Sequence, residues 1–487
     1  MEKNTSKNYP DQEGKTSMYE LTILLEENSK VPLYEQIYEH IRDEIRQGKI
    51  KPGTKLPSTR LLAEHLGVSR STTQLAYDQL TAEGYLESRP CKGYFAAGLE
   101  GLCEIRTKEK AQPVPIKEES AYPYDFSPRG IDADGFPAHI WKKLAREVFS
   151  GESDTLFGHG DSQGEMGLRE AIRDYLYSAR GVHCRAEQIL VGAGSEYLLM
   201  LLDQMLDKKT VIAMENPTYV QAYRVFSGLG HQVVPVPMDE YGMKTELLKA
   251  SGATLAYVMP SHQFPTGRIM PLGRRMELLS WAEEKPGRYI IEDDYDSEFR
   301  YRGKPIPSLQ GYDRGEHVIY LGTFSRSIAP GIRVSFLVLP EPLLARYREK
   351  CRFYATTVSR IDQEILTRFI RGGYYERHLN RMKGVYRAKH DLLLELLKPF
   401  QSRFTICGEN AGIHLLLEEK RSRQGGGLAE ETRLTELAAK AGVKVYGLAG
   451  YYVSGESTKA TILLGFARMS PEQIKEAVGL LAEAWGM

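Results

Sequence analysis

Residues 51–73 read KPGTKLPSTRLLAEHLGVSRSTT and predict two helices separated by a tight turn. The two prolines and the glycine in KPGTKLPS forbid a helix there, and Ser58 then supplies an N-cap for a helix that runs through Leu66. After a turn at Gly67, Ser69 can cap the next helix. The run therefore predicts a helix-turn-helix.

An amphipathic helix precedes this run and a short hairpin follows it. Leucine and isoleucine recur every four residues from Leu33 to Ile45, which is typical of the buried face of a helix. In residues 84–95, the triplets GYL and GYF flank ESRPCK, which predicts a two-stranded wing with a basic tip. Residues 29–97 are therefore predicted to form a winged helix-turn-helix.

The last helix of this unit is expected to bury one side and to present the other. Five residues share the spacing of one buried stripe: Val68, Thr72, Leu75, Ala76 and Leu80. Four polar residues would then point away from the core: Arg70, Ser71, Thr73 and Gln74. Such side chains at the start of a recognition helix can bond to base edges in a DNA major groove. A helical module that binds protein is the alternative, because residues 28–97 carry ten Lys/Arg against eight Asp/Glu, a surplus too small to indicate DNA.

Residues 33–95, from LYEQIYEHIRDEIRQGK to KGYF, resemble the DNA-binding domain of GntR-family transcription regulators. The resemblance implies a double-stranded DNA operator as partner, contacted as spaced half-sites or direct repeats. It implies contacts from the second helix, the recognition helix and the wing tip, by Arg60, Ser69, Arg70, Ser71, Thr72, Gln74, Lys92 and Gly93. Thr72 fits this set least well, because the periodicity above would bury it.

Length and composition bound the rest of the chain. Its 487 residues exceed one average domain about threefold, and 64 Lys/Arg balance 64 Asp/Glu, so no global field favours nucleic acid or membrane. No segment approaches the ~20 apolar residues of a membrane span and the start lacks a signal-peptide core, so we expect a cytoplasmic protein. Five scattered cysteines form no CxxC pair, so neither a disulfide framework nor a metal site is indicated.

Four segments are expected along the chain. Residues 1–28 would be a disordered or poorly ordered tail, 29–97 the winged unit, 98–121 a polar, proline-bearing linker, and 122–487 a large domain. In the large domain, short apolar stretches such as TVIAME, LAYVM and HVIYLG alternate with helical patterns, which predicts an α/β fold with a largely parallel, helix-covered sheet. Functional residues are then expected in the loops after the strands.

Four sequence features fall in such loops. GAGS at 192–195 follows a strand and opens a helix, where free backbone N–H groups suit a phosphate. RYIIEDDYDSEF at 288–299 places carboxylates after a strand, which could bind metal, do acid/base chemistry or hold a protonated ring nitrogen. HQFPTG at 262–267 and GTFSRSIAPGIR at 322–333 add polar and cationic groups. Neither GxGxxG nor GxxxxGK[ST] is present, so dinucleotide and P-loop sites lack their phosphate loops.

These four features, in this order, resemble the fold-type-I aminotransferase domain that binds pyridoxal 5'-phosphate (PLP). With the amino-terminal unit, the whole chain is similar to MocR-type regulators. The resemblance implies that the cofactor phosphate is held by Ala193, Gly194, Ser195, Ser325 and Arg333. Tyr219 would stack on the ring, Asp293 would pair with the ring nitrogen, and Tyr295 would bond the ring hydroxyl oxygen. Arg468 matches the arginine that clamps an amino-acid carboxylate. Gln221 and His262 are also expected near the pocket.

Two positions depart from the family pattern. The family motif GTFSKS carries the lysine that forms the Schiff base with PLP, whereas this chain has Arg326. A guanidinium stays protonated and delocalised, so it cannot form that bond or shuttle the proton of transamination. Either Arg326 holds PLP or its amino-acid adduct noncovalently, or the pocket has lost PLP and senses another anion, or a natural lysine has been altered. In HQFPTG, Gln263 and Phe264 also stand where many aminotransferases carry an asparagine before the proline.

The sequence therefore favours a transcription regulator whose aminotransferase-like domain senses an amino-acid-like or PLP-related effector. Members of this fold pair head to tail, so the resemblance also implies a homodimer. The alternative is a working PLP-dependent aminotransferase with an appended DNA-binding domain.

Overall fold

The computed structural model describes residues 21, 23–26, 29, 31–98, 122–151, 156–301, 306–420, 427–455 and 457–487. The chain divides into two compact units, residues 1–118 and 119–487. Nearly all of the expected tail and linker lies outside the described residues, so the four segment boundaries stay predictions. Leu21 and Ile23, which fall within the expected tail, are buried in the core of the first unit, so its packed part begins before residue 29.

The first unit, called the head below, is a winged helix-turn-helix, as predicted. Its elements are α1 (Leu33–Arg46), α2 (Thr59–Leu66), α3 (Arg70–Ala82), β1 (Leu86–Arg89) and β2 (Gly93–Ala96). The expected caps are present, because the Ser58 and Ser69 hydroxyls accept from the Leu61 and Thr72 amides, each at 3.2 Å. The strands β1 and β2 pair antiparallel and form the wing.

The buried stripe of α3 differs from the predicted one. Thr73, expected to point outward, is fully buried, and its hydroxyl donates to the Thr59 carbonyl at 2.8 Å. Leu75, expected in the core, is 56% exposed. The buried residues are Thr73, Ala76, Tyr77 and Leu80. The bulky Tyr77 ring sets the inward direction of the helix, and the i, i+3, i+4, i+7 spacing around it includes Thr73 and excludes Leu75.

The second unit, called the body, is an α/β domain with the remaining elements. Its helices are α4 (Ala138–Ser150), α5 (Met166–Arg180), α6 (Ser195–Asp203), α7 (Val220–Gly228), α8 (Thr245–Ala250), α9 (Leu272–Glu283), α10 (Glu341–Lys350), α11 (Arg360–Arg371), α12 (Tyr374–Leu396), α13 (Gly427–Lys440) and α14 (Pro471–Trp485). Its strands are β3 (Tyr124–Asp125), β4 (Ile189–Gly192), β5 (Val211–Asn216), β6 (Gln232–Asp239), β7 (Gly242–Met243), β8 (Leu255–Val258), β9 (Tyr289–Asp294), β10 (Val318–Thr323), β11 (Ser335–Val338), β12 (Phe404–Cys407), β13 (His414–Glu419), β14 (Val443–Lys444), β15 (Tyr446–Gly447) and β16 (Thr461–Gly465).

The main sheet has eight strands in the order β4-β11-β10-β9-β8-β5-β6-β7. Its centre, from β10 to β6, is parallel, whereas β11 pairs antiparallel with β4 and β10, and β7 pairs antiparallel with β6. A four-stranded antiparallel sheet, β12-β13-β16-β15, and the pair β14-β3 complete the body. The largely parallel sheet confirms the prediction.

Helices cover both faces of the main sheet. On β9, Ile291 packs into the cluster that contains α6 residues, and its neighbour Ile290 packs into the cluster that contains α9 residues. A strand buried on both faces must be apolar throughout, as YII is before its acidic end. Because helices cover both faces of the sheet, ligands are expected to bind at the loops that follow the carboxyl ends of β9 and β10. Among the described residues, no helix is long and apolar enough to cross a membrane.

Candidate functional site

A cavity of about 260 Å³ opens at the carboxyl ends of β9 and β10. Eight of the residues expected around a cofactor line it: Gly194, Ser195, Tyr219, Asp293, Tyr295, Ser325, Arg326 and Arg333. Residues distant in sequence thus meet at the sheet edge, as the strand–loop argument requires. The lining also includes Arg129, Glu196 and Phe264, which the sequence reasoning did not select as cofactor or effector ligands.

One corner of the cavity is built to receive an anion. Gly194 caps α6 with φ 102°, a backbone conformation that favours glycine. Arg333 Nη2 donates to the Ala193 carbonyl at 3.2 Å and pairs with Glu196 at 3.1 Å. The buried Ser325 hydroxyl has no hydrogen-bond partner in the described part of the chain. A guanidinium, an unpartnered hydroxyl and a helix N-terminus together suit a phosphate.

Asp293 is the buried carboxyl at the end of β9 that faces the cavity. It is 7% exposed, and its Oδ2 accepts a hydrogen bond from the Tyr257 hydroxyl. Burial raises the pKa of Asp293 to about 7, helped by the nearby carboxylates, although the Tyr257 bond opposes the shift. A cation placed opposite this carboxyl would favour its charged form, so the position suits a protonated ring nitrogen.

A buried histidine orients Tyr295. His262 Nδ1 lies 3.0 Å from both Asp296 carboxylate oxygens and 2.9 Å from the Tyr295 hydroxyl oxygen. Behind it lies His414, whose pKa is lowered to about 3, chiefly by burial and next by the His262 charge, so that ring is neutral. His262, held by Asp296, thus fixes the Tyr295 phenol at the cavity wall, and this histidine, which the sequence only suggested, contacts the lining residue from behind.

Arg326 lines the cavity. Its Nη2 donates to the Pro128 carbonyl, and its Cζ lies 5.9 Å from the centre of the Tyr295 ring. The buried Nε has no hydrogen-bond partner among the described residues. The guanidinium therefore has donor capacity left for an anionic ligand.

The stretch around Pro128 contributes one residue to the cavity. Arg129 belongs to its lining, and Asp125 lies 3.5 Å from Arg468 as an ion pair. Arg468 is 65% exposed and is not among the lining residues, so its expected role as a carboxylate clamp stays a prediction. Arg129 carries no sequence signal, because a single arginine in an aperiodic loop has no distinguishing pattern.

Gln263 and Phe264, which precede the proline of HQFPTG, have different placements. Gln263 turns away from the cavity, because its Nε2 donates to the Pro217 carbonyl at 3.0 Å and its Oε1 accepts from the Thr266 amide at 3.0 Å. Phe264 lines the cavity beside Tyr219, with ring centres 6.1 Å apart. Phe264 thus forms an apolar part of the cavity wall, and Tyr295 adds a polar group to the same lining.

The head presents a second candidate site on α3 and the wing. Arg70 is exposed at the start of α3, and Arg60 of α2 is 79% exposed, where Glu64 pairs with it at 3.2 Å. The Ser69 hydroxyl lies 2.7 Å from that of Ser71 and 2.8 Å from that of Thr72, which is half-buried.

A side-chain hydrogen bond joins the wing to the recognition helix, in addition to the packing of Tyr94 against Tyr77. Gln74 Nε2 donates to the Tyr94 hydroxyl at 3.2 Å and to Asp78 at 2.7 Å. The exposed Lys92 lies in the wing turn. It precedes Gly93, the first residue of β2, which has a φ of 101°. The expected DNA-contacting residues thus occupy α2, α3 and the wing turn.

Known proteins share both units in this order. The family described as bacterial regulatory proteins, gntR family, matches residues 33–95, and aminotransferase class I and II matches residues 130–481. The uncharacterized HTH-type transcriptional regulator YdeL of Bacillus subtilis is 39% identical, over 96% of this chain and 99% of its own length. The probable rhizopine catabolism regulatory protein MocR of Rhizobium meliloti is 32% identical, over 95% and 96%. The HTH-type pyridoxine biosynthesis transcriptional regulator PdxR of Corynebacterium glutamicum is 31% identical, over 96% and 98%.

Solved structures match the body. An archaeal alanine:glyoxylate aminotransferase has a TM-score of 0.66 at 26% identity, over 74% of this chain and 90% of that one. A multiple substrate aminotransferase from Thermococcus profundus has a TM-score of 0.67 at 25% identity, over 75% and 92%. The predicted fold-type-I aminotransferase architecture, typical of PLP-dependent proteins, is confirmed. The chain therefore belongs to the MocR-type regulators of the GntR family, DNA-binding transcription regulators with an aminotransferase class I and II domain.

Proposed function

We propose that the body binds PLP without a covalent bond and senses an amino-acid-like effector, and that its occupancy controls operator binding by the head. The body would also carry the dimer contacts, with two chains arranged head to tail. In this proposal the pocket recognises ligands and does not turn them over.

The observation that carries the proposal is the cation content of the cavity. Its described lining includes three arginines, Arg129, Arg326 and Arg333, and no lysine. A Schiff base requires a neutral amine, which a buried lysine can supply and a guanidinium with a pKa above ~12 cannot. We infer that Arg326, in the loop after β10, takes the position of the cofactor-binding lysine.

The remaining lining supports PLP as a noncovalent ligand. When bound, PLP supplies a phosphate and an electron-withdrawing pyridine ring. The phosphate would be held at the anion corner by Ala193, Gly194, Ser195, Ser325 and Arg333, where the unpartnered Ser325 hydroxyl favours this assignment. Asp293 would face the ring nitrogen, Tyr295 the ring hydroxyl and Tyr219 the ring face. Each of these residues binds or orients, and none needs to transfer a proton.

Arg326 also connects the cavity with the segment of the body that follows the expected linker. It donates to Pro128, in the stretch that directly follows the expected linker. An anion that draws the Arg326 guanidinium away would break this hydrogen bond. The segment around Pro128 would then be tethered to Arg326 in the ligand-free state but not in the ligand-bound state. A ligand can act as a switch only if its affinity differs between two such states.

The test is whether a lysine at position 326 restores a covalent bond. We expect wild-type protein saturated with PLP to show the cofactor's absorbance and to release the cofactor on denaturation. After borohydride reduction, its intact mass should be unmodified. R326K should retain PLP as a mass adduct after the same treatment, because its amine can reach the cofactor.

The matched control is R333K, which also places a lysine in the cavity but at the expected phosphate corner, and it should give no adduct. A wild-type adduct, or steady conversion of amino donors to oxo acids by the wild type, would instead support a working aminotransferase. PLP bound by R326K alone would show that the native pocket has abandoned the cofactor.

A further inference from the structure

The cavity contains more positive charge than PLP would use. Of its three arginines, Arg333 is paired with Glu196 at 3.1 Å and belongs to the anion corner. The other lining carboxyl, Asp293, has a pKa raised to about 7 by burial and bonds Tyr257. Neither acid neutralises the remaining arginines, so Arg129 and Arg326 are left as two positive charges without a carboxylate partner in the described lining.

These two guanidiniums lie around the same tyrosines. Burial raises the pKa of Tyr219 to about 12, and the charges of Arg129 and Arg326 both oppose that rise. The pKa of Tyr451 is likewise raised by burial and opposed by both arginines. Arg326 also bonds the carbonyl of Pro128, the residue next to Arg129. Both charges therefore act on one region of the cavity.

Their hydrogen-bonding capacity is still available. Arg326 uses one Nη on a neutral carbonyl, and its buried Nε is unpartnered within the described ranges. Arg129 is exposed at the cavity, and its guanidinium shows no hydrogen bond or ion pair to the described residues. Each can form a bidentate pair with a carboxylate.

We propose that the effector is an amino acid with a second acidic group, and that Arg129 is the specificity-determining residue that binds it. One carboxylate pairs with Arg326, in place of the clamp expected at Arg468, which is not among the lining residues. The other carboxylate pairs with Arg129, whereas a ligand with a single carboxylate leaves one guanidinium without an anion. This inference rests on the proposed function, because it assumes that PLP occupies the anion corner and the Asp293 side.

Calorimetric titration of the full-length, PLP-saturated protein compares two pairs of probes of matched size, L-glutamate with L-glutamine and L-aspartate with L-asparagine. We expect at least one acid to bind about ten-fold or more tightly than its amide, the gain of a charge-assisted bidentate pair. R129Q should bring that ratio close to one and leave affinity for the amide unchanged. R387Q, which removes an exposed arginine of α12 that is not among the cavity-lining residues, should keep the wild-type ratio.

The outcomes separate this inference from the function on which it rests. Equal affinities for acid and amide, or an equal loss of both in R129Q, would overturn the role of Arg129 and leave effector sensing intact. If none of the four amino acids bound the PLP-saturated protein, this inference would be overturned, whereas PLP retention by the wild type and the R326K adduct test the proposed function separately.

Discussion

Asp293 is a buried carboxyl that faces the cavity and accepts one hydrogen bond, from the Tyr257 hydroxyl. The charged form of a buried carboxyl is disfavoured unless a cation is near, and no lysine or arginine is hydrogen-bonded to Asp293 among the described residues. Tyr257 alone does not compensate, so the pKa is raised to about 7. The residue is therefore near its titration point at neutral pH until a cationic ligand group arrives.

This shift makes a prediction about the PLP-free protein. The unfolded aspartate has a pKa of about 3.9, so between roughly pH 4 and 7 the folded state holds a proton that the unfolded chain releases. The free energy of unfolding should thus fall as pH rises through this window. D293N has no proton to lose, and its melting temperature should depend less on pH between 5 and 8.

The expected reduction in slope is partial, because burial also raises the pKa values of Glu215 and Glu298 to about 7 and raises those of Glu292 and Glu431. Thermal unfolding monitored by circular dichroism, without PLP, measures it. D134N changes an exposed aspartate and should keep the wild-type slope. Identical slopes for wild type and D293N would contradict a raised pKa at this carboxyl.

At the scale of elements, the sequence predicts type and order better than orientation. The apolar stretches reveal the strands of the main sheet, but VSFLVL reads the same whether its strand runs parallel or antiparallel, so the reversal of β11 is not predictable. In α3, Leu75 and Thr73 exchange their expected sides because the Tyr77 ring sets the buried face, and the Thr73 hydroxyl tolerates burial there by donating to the Thr59 carbonyl. Periodicity counts apolar residues and cannot register such a bond.

The recognition helix α3 makes a prediction of its own. Arg70 is exposed on its first turn, where a side chain can reach base edges. R70A should weaken binding to a DNA fragment selected by the full-length protein from a random pool, by about 1–3 kcal/mol, and should relax sequence preference. Fluorescence anisotropy at fixed salt measures both effects.

The control for R70A is R46A, which removes the same charge from the exposed end of α1. It should change affinity for selected and random DNA alike, and only slightly, because a charge without a base contact acts on phosphates alone. Equal losses of specific binding in R70A and R46A would show that α3 does not read bases.

At the scale of the whole molecule, the site depends on contacts between distant residues. Arg326 bonds Pro128, and Asp125 pairs with Arg468, across separations that no local pattern encodes. Family resemblance could select Arg326 and Arg468, since their motifs are ordered along the chain, but not Arg129, which lines the cavity although its loop carries no motif. The residues of this pocket that lie outside sequence motifs cannot be predicted, because they reach it only through long-range packing.

The whole chain also makes a thermodynamic prediction. If ligands in the body alter operator binding, the coupling is reciprocal: PLP with L-glutamate must change DNA affinity by the factor by which DNA changes affinity for these ligands. A regulatory coupling of about 1–3 kcal/mol corresponds to roughly 5–150-fold. Anisotropy with and without ligands gives one factor, and calorimetric titration with and without the selected DNA gives the other.

R70A serves as the control in both experiments, because its weakened operator binding leaves most of its heads free at the lowest DNA concentration that saturates the wild type. Added DNA should then leave ligand affinity of R70A unchanged while the cavity itself stays intact. If DNA left the ligand affinity of the wild type unchanged, ligand binding in the body would not alter the DNA affinity of the head. Effector control of transcription would in that case need a second partner, since tight binding alone shifts no equilibrium.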